Sequence, residues 1–246
     1  MPHVEHIQPK WPAPANVRAA STFRTGGVSQ PPYDDFNLAA HVGDAVASVT
    51  ENRRRLKSLL RLPRDPSWLD QVHSDSVVEA SLSSSPPRAD ASVAREAGTV
   101  CVVLTADCLP VLFASKNGDR VAAAHAGWRG LAAGILDNTV GSLGLPGHEL
   151  IAWLGPAIGQ DSFEVGDDVR IAFLGRDSAA SSAFVPNARG RWQCDLYALA
   201  RRNLAQLGVT DVHGGGYCTA TDADRFFSYR RDGQCGRMAT LIWMER

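Results

Sequence analysis

Three side chains able to bind a metal or act as nucleophiles stand among acidic or very small neighbours. They are His73 in Asp-Gln-Val-His-Ser-Asp, Cys108 in Thr-Ala-Asp-Cys-Leu-Pro and His125 in Ala-His-Ala-Gly-Trp-Arg-Gly. A lone cysteine in an apolar run is most often a small hydrophobe, and a lone strand-end histidine most often bonds a carbonyl. Asp107 sets Cys108 apart, because a carboxylate beside a thiol disfavours the thiolate unless a cation is present. Around His125, the small residues Ala124, Ala126 and Gly127 leave room for something to approach. His73 again has an acid close by, Asp75. Two histidines and one cysteine make the open three-ligand set of a catalytic zinc, with the fourth position left to water or substrate. Copper competes for the same donors and is expected as an adventitious occupant.

The elements that must deliver these residues can be read from apolar runs and turn residues. Residues 98–106 are a continuous β-branched run typical of a buried strand, and 109–115 are a second. Asn117-Gly118 is a hairpin turn that returns 119–126 as a third, so Cys108 and His125 fall at one end of a hairpin. A helix is expected over 44–60, with Asp44 as N-cap and Val46, Val49, Leu56, Leu59 and Leu60 largely on one face. Further helices are expected over 131–144 and 193–208, a strand running into Gly155-Pro156, a Ser/Pro-rich loop over 81–88 and a last strand over 238–244. Strands and helices do not alternate regularly. The expected fold is therefore α/β with a mixed sheet, or two packed sheets with helices outside, rather than a doubly wound parallel sheet. No change of composition marks a linker, and residues 1–246 read as one domain.

Bulk properties narrow the function. Lys+Arg 25 against Asp+Glu 26 gives a net charge of −1, which offers no footprint for nucleic acid or an anionic membrane. Neither a signal peptide nor a membrane-length apolar run is present, so a cytoplasmic protein acting on small molecules is expected. The 5 cysteines are odd in number and form no Cys-x-x-Cys, which points to free thiols.

Several separated blocks, in order, resemble the YfiH/YlmD family, bacterial relatives of the human protein FAMIN long labelled laccase-like multicopper polyphenol oxidases. They are STFRTGGVS, FNLAAHVGD, DQVHSD, TADCLPVLF, AHAGWRGLAAGIL, GPAIG with FEVGDDV, and FFSYRRDG with CGRMATLIWM. The resemblance spans nearly the whole chain. It implies a single-domain α/β sandwich of mixed sheets flanked by helices, related to the catalytic domain of the cytotoxic necrotizing factors. It also implies one zinc on the residues that match His73, Cys108 and His125. The activity implied is that of a purine nucleoside enzyme, with phosphorolysis of adenosine, inosine, guanosine and methylthioadenosine and deamination of adenosine.

Each implied activity makes demands on residues. Deamination uses water whose pKa the zinc lowers, together with a carboxylate to move the proton; Asp107 and Asp75 are the sequence-local candidates. The His-x-Glu with Pro-Cys-x-x-Cys signature of nucleobase deaminases is absent. Phosphorolysis needs donors for a phosphate dianion, and Arg24, Arg129 and Arg230 are the candidates, with His41 at the same pocket. Tyr229 and Phe227 alternate before a turn and read as core, although either ring could stack on a purine. Two other chemistries compete. Cys108 paired with a histidine would suit a hydrolase that edits cell-wall precursors, a role described for some bacterial relatives. A multicopper oxidase needs far more histidines than the 7 present. A metal-stabilised binding protein without turnover is a further reading. The sequence carries no trace of oligomeric state.

Overall fold

Strands that are apolar at every position need cover on both faces, and the architecture provides it. The computed structural model describes residues 5–83 and 85–245. A two-residue strand, β1 (His6–Ile7), pairs with β2 (Val17–Thr22), and the irregular residues 23–45 lead into α1 (Val46–Leu59). Then come β3 (Val77–Glu79), β4 (Ala91–Ala94), β5 (Val100–Thr105), β6 (Leu109–Ser115) and β7 (Val121–Ala126). Helices α2 (Trp128–Ala133) and α3 (Ile135–Leu143) precede β8 (Leu150–Leu154). The remainder is β9 (Glu164–Val165), α4 (Asp167–Leu174), β10 (Phe184–Pro186), β11 (Trp192–Cys194), α5 (Leu196–Gln206), β12 (Asp211–Gly214), α6 (Tyr229–Asp232) and β13 (Met238–Met244).

Among the described residues, one sheet runs β12-β8-β6-β7-β4-β3 and is mixed: its inner pairs are antiparallel and its two edge pairs, β12 with β8 and β3 with β4, are parallel. A second, antiparallel sheet runs β1-β2-β13-β5. The two sheets stack, with Cys101, Val103 and Ile242 of the second meeting Leu112, Ala123, Ile151 and Trp153 of the first. Side chains alternate along a strand, so Val111 and Phe113 point the other way and pack under Ile135, Leu136 and Val140 of α3 and Leu199 and Leu204 of α5. The outer face of the second sheet, with Val102, Leu241 and Trp243, is covered by Phe36, Leu38 and Leu56. The fold is an α/β sandwich of mixed and antiparallel sheets flanked by helices. Phe113 is completely buried, and truncating it to Ala would cost about 3–5 kcal/mol.

Several sequence expectations shift. The first helix starts at Val46 rather than at residue 44, with Ala45 as an uncapped N-cap, and Val46 is 79% exposed. Asp44 is drawn instead into loop packing, accepting from Ser29 Oγ (2.6 Å) and Asn37 Nδ2 (2.9 Å). The helix expected over 131–144 is two helices, because Gly134 adopts φ 111° between them, and α2 already begins at Trp128. At 193–208 the first residues belong to β11, and α5 is capped by Asp195, whose carboxylate accepts the Ala198 N–H at 2.9 Å. Ser84, in the 81–88 loop, lies outside the described residues. No helix of the described residues is long and apolar enough to cross a membrane.

Candidate metal centre and its cavity

The chain passes from the second sheet to the first at Ala106-Asp107-Cys108, between β5 and β6, with Asp107 at φ 83°. Cys108 therefore sits at the entry of β6. The antiparallel pairing of β6 and β7 sets Pro110 opposite His125, so both residues reach the same end of the hairpin. His73 comes from the connection before β3, with φ 61°. Its imidazole lies 4.8 Å, centroid to centroid, from that of His125, and its Nε2 is 3.9 Å from Cys108 Sγ. The potential donor atoms of the three residues lie within 4.8 Å of one another, and no other such cluster occurs among the described residues.

A residue that the sequence reading passed over holds this cluster together. Asp90, fully buried, accepts the backbone N–H groups of Val72 (3.2 Å), His73 (3.0 Å) and Ser74 (2.6 Å), and the Ser74 hydroxyl (2.7 Å). These contacts fold the turn that carries His73. The same carboxylate lies 2.8 Å from His125 Nδ1. An ionised carboxylate only accepts, so Nδ1 carries a hydrogen and Nε2 is the nitrogen that faces the cluster, its lone pair open to a metal once that nitrogen gives up its proton. Burial would raise the Asp90 carboxyl, but the hydrogen bonds from His125 and Ser74 outweigh it and hold the group at about 2. The only advance signal was an acid immediately before the apolar run Ala-Ser-Val-Ala, since buried carboxylates are rare without partners.

Charge at the cluster is strongly polarised. Burial opposes a thiolate at Cys108, yet the His125 charge and the hydrogen bonds from both histidines bring the thiol down to about 6. Burial likewise opposes a charged His125, while the Cys108 thiolate and Asp90 push it up to about 9. The expectation that Asp107 would raise this thiol is corrected by where its carboxylate points. Oδ1 accepts the Thr219 hydroxyl at 2.6 Å and Oδ2 the Arg230 backbone N–H at 2.7 Å, so neither oxygen is turned to the sulfur. Gly127 is a glycine for want of space: a Cβ there would lie 2.9 Å from Cys108 Sγ and 3.2 Å from His73 Cδ2.

A cavity of about 330 Å³ opens on the cluster. Its walls include His41, Gln71, Asp107, Trp128, Arg129, Phe163, Tyr229, Arg230 and Arg237. Of the sequence candidates, His73, Cys108, His125, Asp107, Arg129, Arg230 and His41 thus share one site. Two do not. Arg24 lies over the Phe227 ring at 4.8 Å and pairs with Asp34, and Asp75 Oδ2 accepts from Asn138 Nδ2 at 3.1 Å; neither lines the cavity. Phe227 is core, as expected, whereas Tyr229 is 61% exposed at the cavity. Arg237 and Phe163 were missed, because one reads as a strand lead-in and the other as an ordinary aromatic.

A mixed α/β sandwich that presents two histidines and a cysteine where the chain crosses between its sheets defines a class, and comparison with known proteins agrees. The chain belongs to the YfiH family, whose model, described as "Multi-copper polyphenol oxidoreductase laccase", matches residues 18–245. It is 58% identical over 240 residues to a Pseudomonas aeruginosa protein named purine nucleoside phosphorylase, covering 97% of this chain and 98% of that one. With purine nucleoside phosphorylase YfiH of Escherichia coli it shares 52% identity over 241 residues, with the same coverage. Among solved structures, a Neisseria meningitidis protein matches with a TM-score of 0.95 at 49% identity, over 98% of this chain and 99% of that one. YlmD of Geobacillus stearothermophilus matches with 0.88 at 29%, over 94% and 93%.

Proposed function

We propose that this chain is a zinc-dependent purine nucleoside phosphorylase. It would cleave adenosine, inosine, guanosine and methylthioadenosine with phosphate to give free base and ribose 1-phosphate, and deaminate adenosine in the same cavity. The observation that carries this reading is the cavity's make-up: a His73–Cys108–His125 cluster beside arginines that have no carboxylate partner among the described residues, and the broad rings of Trp128 and Phe163. The names of the relatives support it. The donor set, two imidazoles and a thiol already inclined to ionise, fits zinc and would also take copper. Zinc, when bound, supplies Lewis acidity toward the substrate.

The chain's own residues do the rest. Asp90 fixes the tautomer of His125 and the turn of His73, so the donors are preorganised before anything binds. Trp128 and Phe163 offer apolar faces to a purine and displace water from it. The arginines offer forked donors to a phosphate dianion. Incubation of the purified protein with adenosine or inosine and phosphate, with chromatography of the products and metal analysis, tests the reading. One zinc per chain and formation of base plus ribose 1-phosphate are expected, with both lost in Cys108→Ala. A metal-loaded protein that leaves every purine nucleoside intact would refute it.

A second reading has one observation in its favour: Asp90, His125 and Cys108 stand in the order orienter, base and nucleophile. A cysteine hydrolase acting on an amide of a cell-wall precursor would use that order. Chelation separates the two readings, because a cysteine hydrolase keeps its activity when the metal is stripped and a zinc enzyme does not.

A further inference from the structure

Three arginines line the cavity, and among the described residues none of them is paired with a carboxylate. They are not equivalent. Arg129 is exposed, with its guanidinium 4.4 Å over the Trp128 ring. Arg230 is also exposed, and its Nη1 donates to the Glu164 carbonyl at 3.0 Å. Arg237 is half-buried and built in. Its Nη1 donates to the carbonyls of Cys235 (2.8 Å) and Gly236 (3.0 Å), and among the described residues Nε and Nη2 make no hydrogen bond. One edge of the fork is thus fixed by the backbone, its carbon lies 5.9 Å from the Tyr229 ring, and the other edge keeps its hydrogens unused among the described residues.

The segment that carries His41 is tied, on either side of it, to the scaffold that holds Arg237. Asn37 Oδ1 accepts the Arg237 backbone N–H at 2.9 Å, and Asn37 Nδ2 donates to Asp44, just beyond His41, at 2.9 Å. Buried Asn52 donates to the Asn37 carbonyl at 2.9 Å and closes the network. Gly236 permits this packing, since a Cβ there would meet Phe227 at 2.6 Å and Asn37 at 2.9 Å. His41 is exposed at the cavity mouth, and partial desolvation there and then the Arg237 charge hold its imidazole below the usual pKa, with Asp70 opposing and Arg53 adding to the effect. Both side chains line the cavity, where a neutral ring can donate one hydrogen bond and the free edge of the guanidinium two.

We propose that Arg237 and His41 form the seat of a tetrahedral phosphate dianion, and that its occupant is inorganic phosphate as co-substrate. The assignment to a co-substrate rests on the phosphorylase reading; the seat itself does not. The same chemistry would recognise the phosphate of a nucleoside 5′-monophosphate, so both ligands are tested.

The test uses zinc-loaded protein and its Arg237→Gln, Arg237→Lys and His41→Gln variants. Binding of inorganic phosphate and of adenosine 5′-monophosphate is measured by calorimetry, and the phosphate KM by turnover at saturating inosine. For Arg237→Gln we expect phosphate binding and phosphate KM to weaken by about 30-fold, as loss of hydrogen bonds to a charged group does. Metal content and the inosine KM should stay within about twofold. Arg237→Lys should recover part of the loss, since it keeps the charge without the fork. His41→Gln, which leaves the Arg237 backbone contacts intact, should weaken phosphate by about fivefold. If Arg237→Gln binds phosphate as the parent does, the seat is overturned while phosphorolysis stands. If phosphate binding depends on Arg237 but no nucleoside is cleaved, the seat stands and the phosphorylase reading falls. If only the monophosphate binds there, the co-substrate assignment is overturned.

Discussion

Asp90→Asn puts a number on how far the cluster depends on one buried carboxylate. In the parent, Oδ1 accepts from His73 N–H and His125 Nδ1, and Oδ2 from the Val72 and Ser74 N–H groups and the Ser74 hydroxyl. An amide must turn its NH2 toward one of these sets. Facing Oδ2's partners sets it against two backbone donors that cannot change, so the NH2 is expected at the Oδ1 position. There His125 can adapt by moving its proton to Nε2, which removes the lone pair from the cluster, while the His73 N–H is left without an acceptor. One buried donor unpaired, with weaker bonds at the others, costs about 3 kcal/mol, small enough for a chain this size to remain folded. Linkage gives a similar figure. Asp90 sits at about 2 against an ordinary 3.8, and the difference corresponds to about 2 kcal/mol of stability, present above about pH 4 and lost as pH falls through 2. Zinc affinity should fall by about 10–100-fold. Chelator competition and urea unfolding at neutral pH measure both effects. A variant with parental zinc affinity and parental unfolding midpoint would show that Asp90 neither selects the His125 tautomer nor holds the His73 turn.

Two further outcomes follow from the geometry. Gly127→Ala places a methyl 2.9 Å from Cys108 Sγ and 3.2 Å from His73 Cδ2; zinc affinity should drop by about tenfold or more, with stability lowered by about 1–3 kcal/mol, and parental affinity by chelator competition would contradict the close approach. In metal-free Cys218→Ser protein, where the remaining half-buried thiol is Cys108, iodoacetamide alkylation should reach half its plateau rate near pH 6, with thiolate present above that pH and lost below it. Added zinc should suppress the reaction, and a midpoint above pH 8 would mean that the histidines do not stabilise the thiolate.

What the sequence disclosed was what depends on short stretches of chain. Buried strands β5, β6, β7 and β13 showed as unbroken apolar runs because each is covered on both sides. The Asn117-Gly118 turn fixed the register that brings Cys108 and His125 together. Residues whose role depends on distant partners stayed hidden. Asp90 acts through the N–H groups of residues 72–74 and a ring on β7, none of which is near it in sequence. Arg24, among glycines that suggested an anion loop, was claimed by Asp34 and Phe227 once residues 23–45 folded back. Arg237 reverses the case: nothing marks it in Cys-Gly-Arg-Met, and only the packing of Asn37 against it sets it at the cavity.

Asp107 shows why the site lies where the chain changes sheets. A crossing between stacked sheets ends the hydrogen-bond ladder of one strand before the next begins, leaving backbone and side chains free to take partners elsewhere. At this crossing the Asp107 carbonyl accepts the Ile158 N–H at 2.9 Å, and its carboxylate holds Thr219 and the start of α6. Ile158 and Arg230, from segments far apart in sequence, thereby join the cavity wall next to Cys108. A carboxylate with both oxygens bonded in this way is well placed to set the distance between the cluster and that wall. Asp90 does the same for the histidines. Both acids flanking the cluster thus hold neighbouring backbone in place, and among the described residues neither pairs with the side chains of Arg129, Arg230 or Arg237.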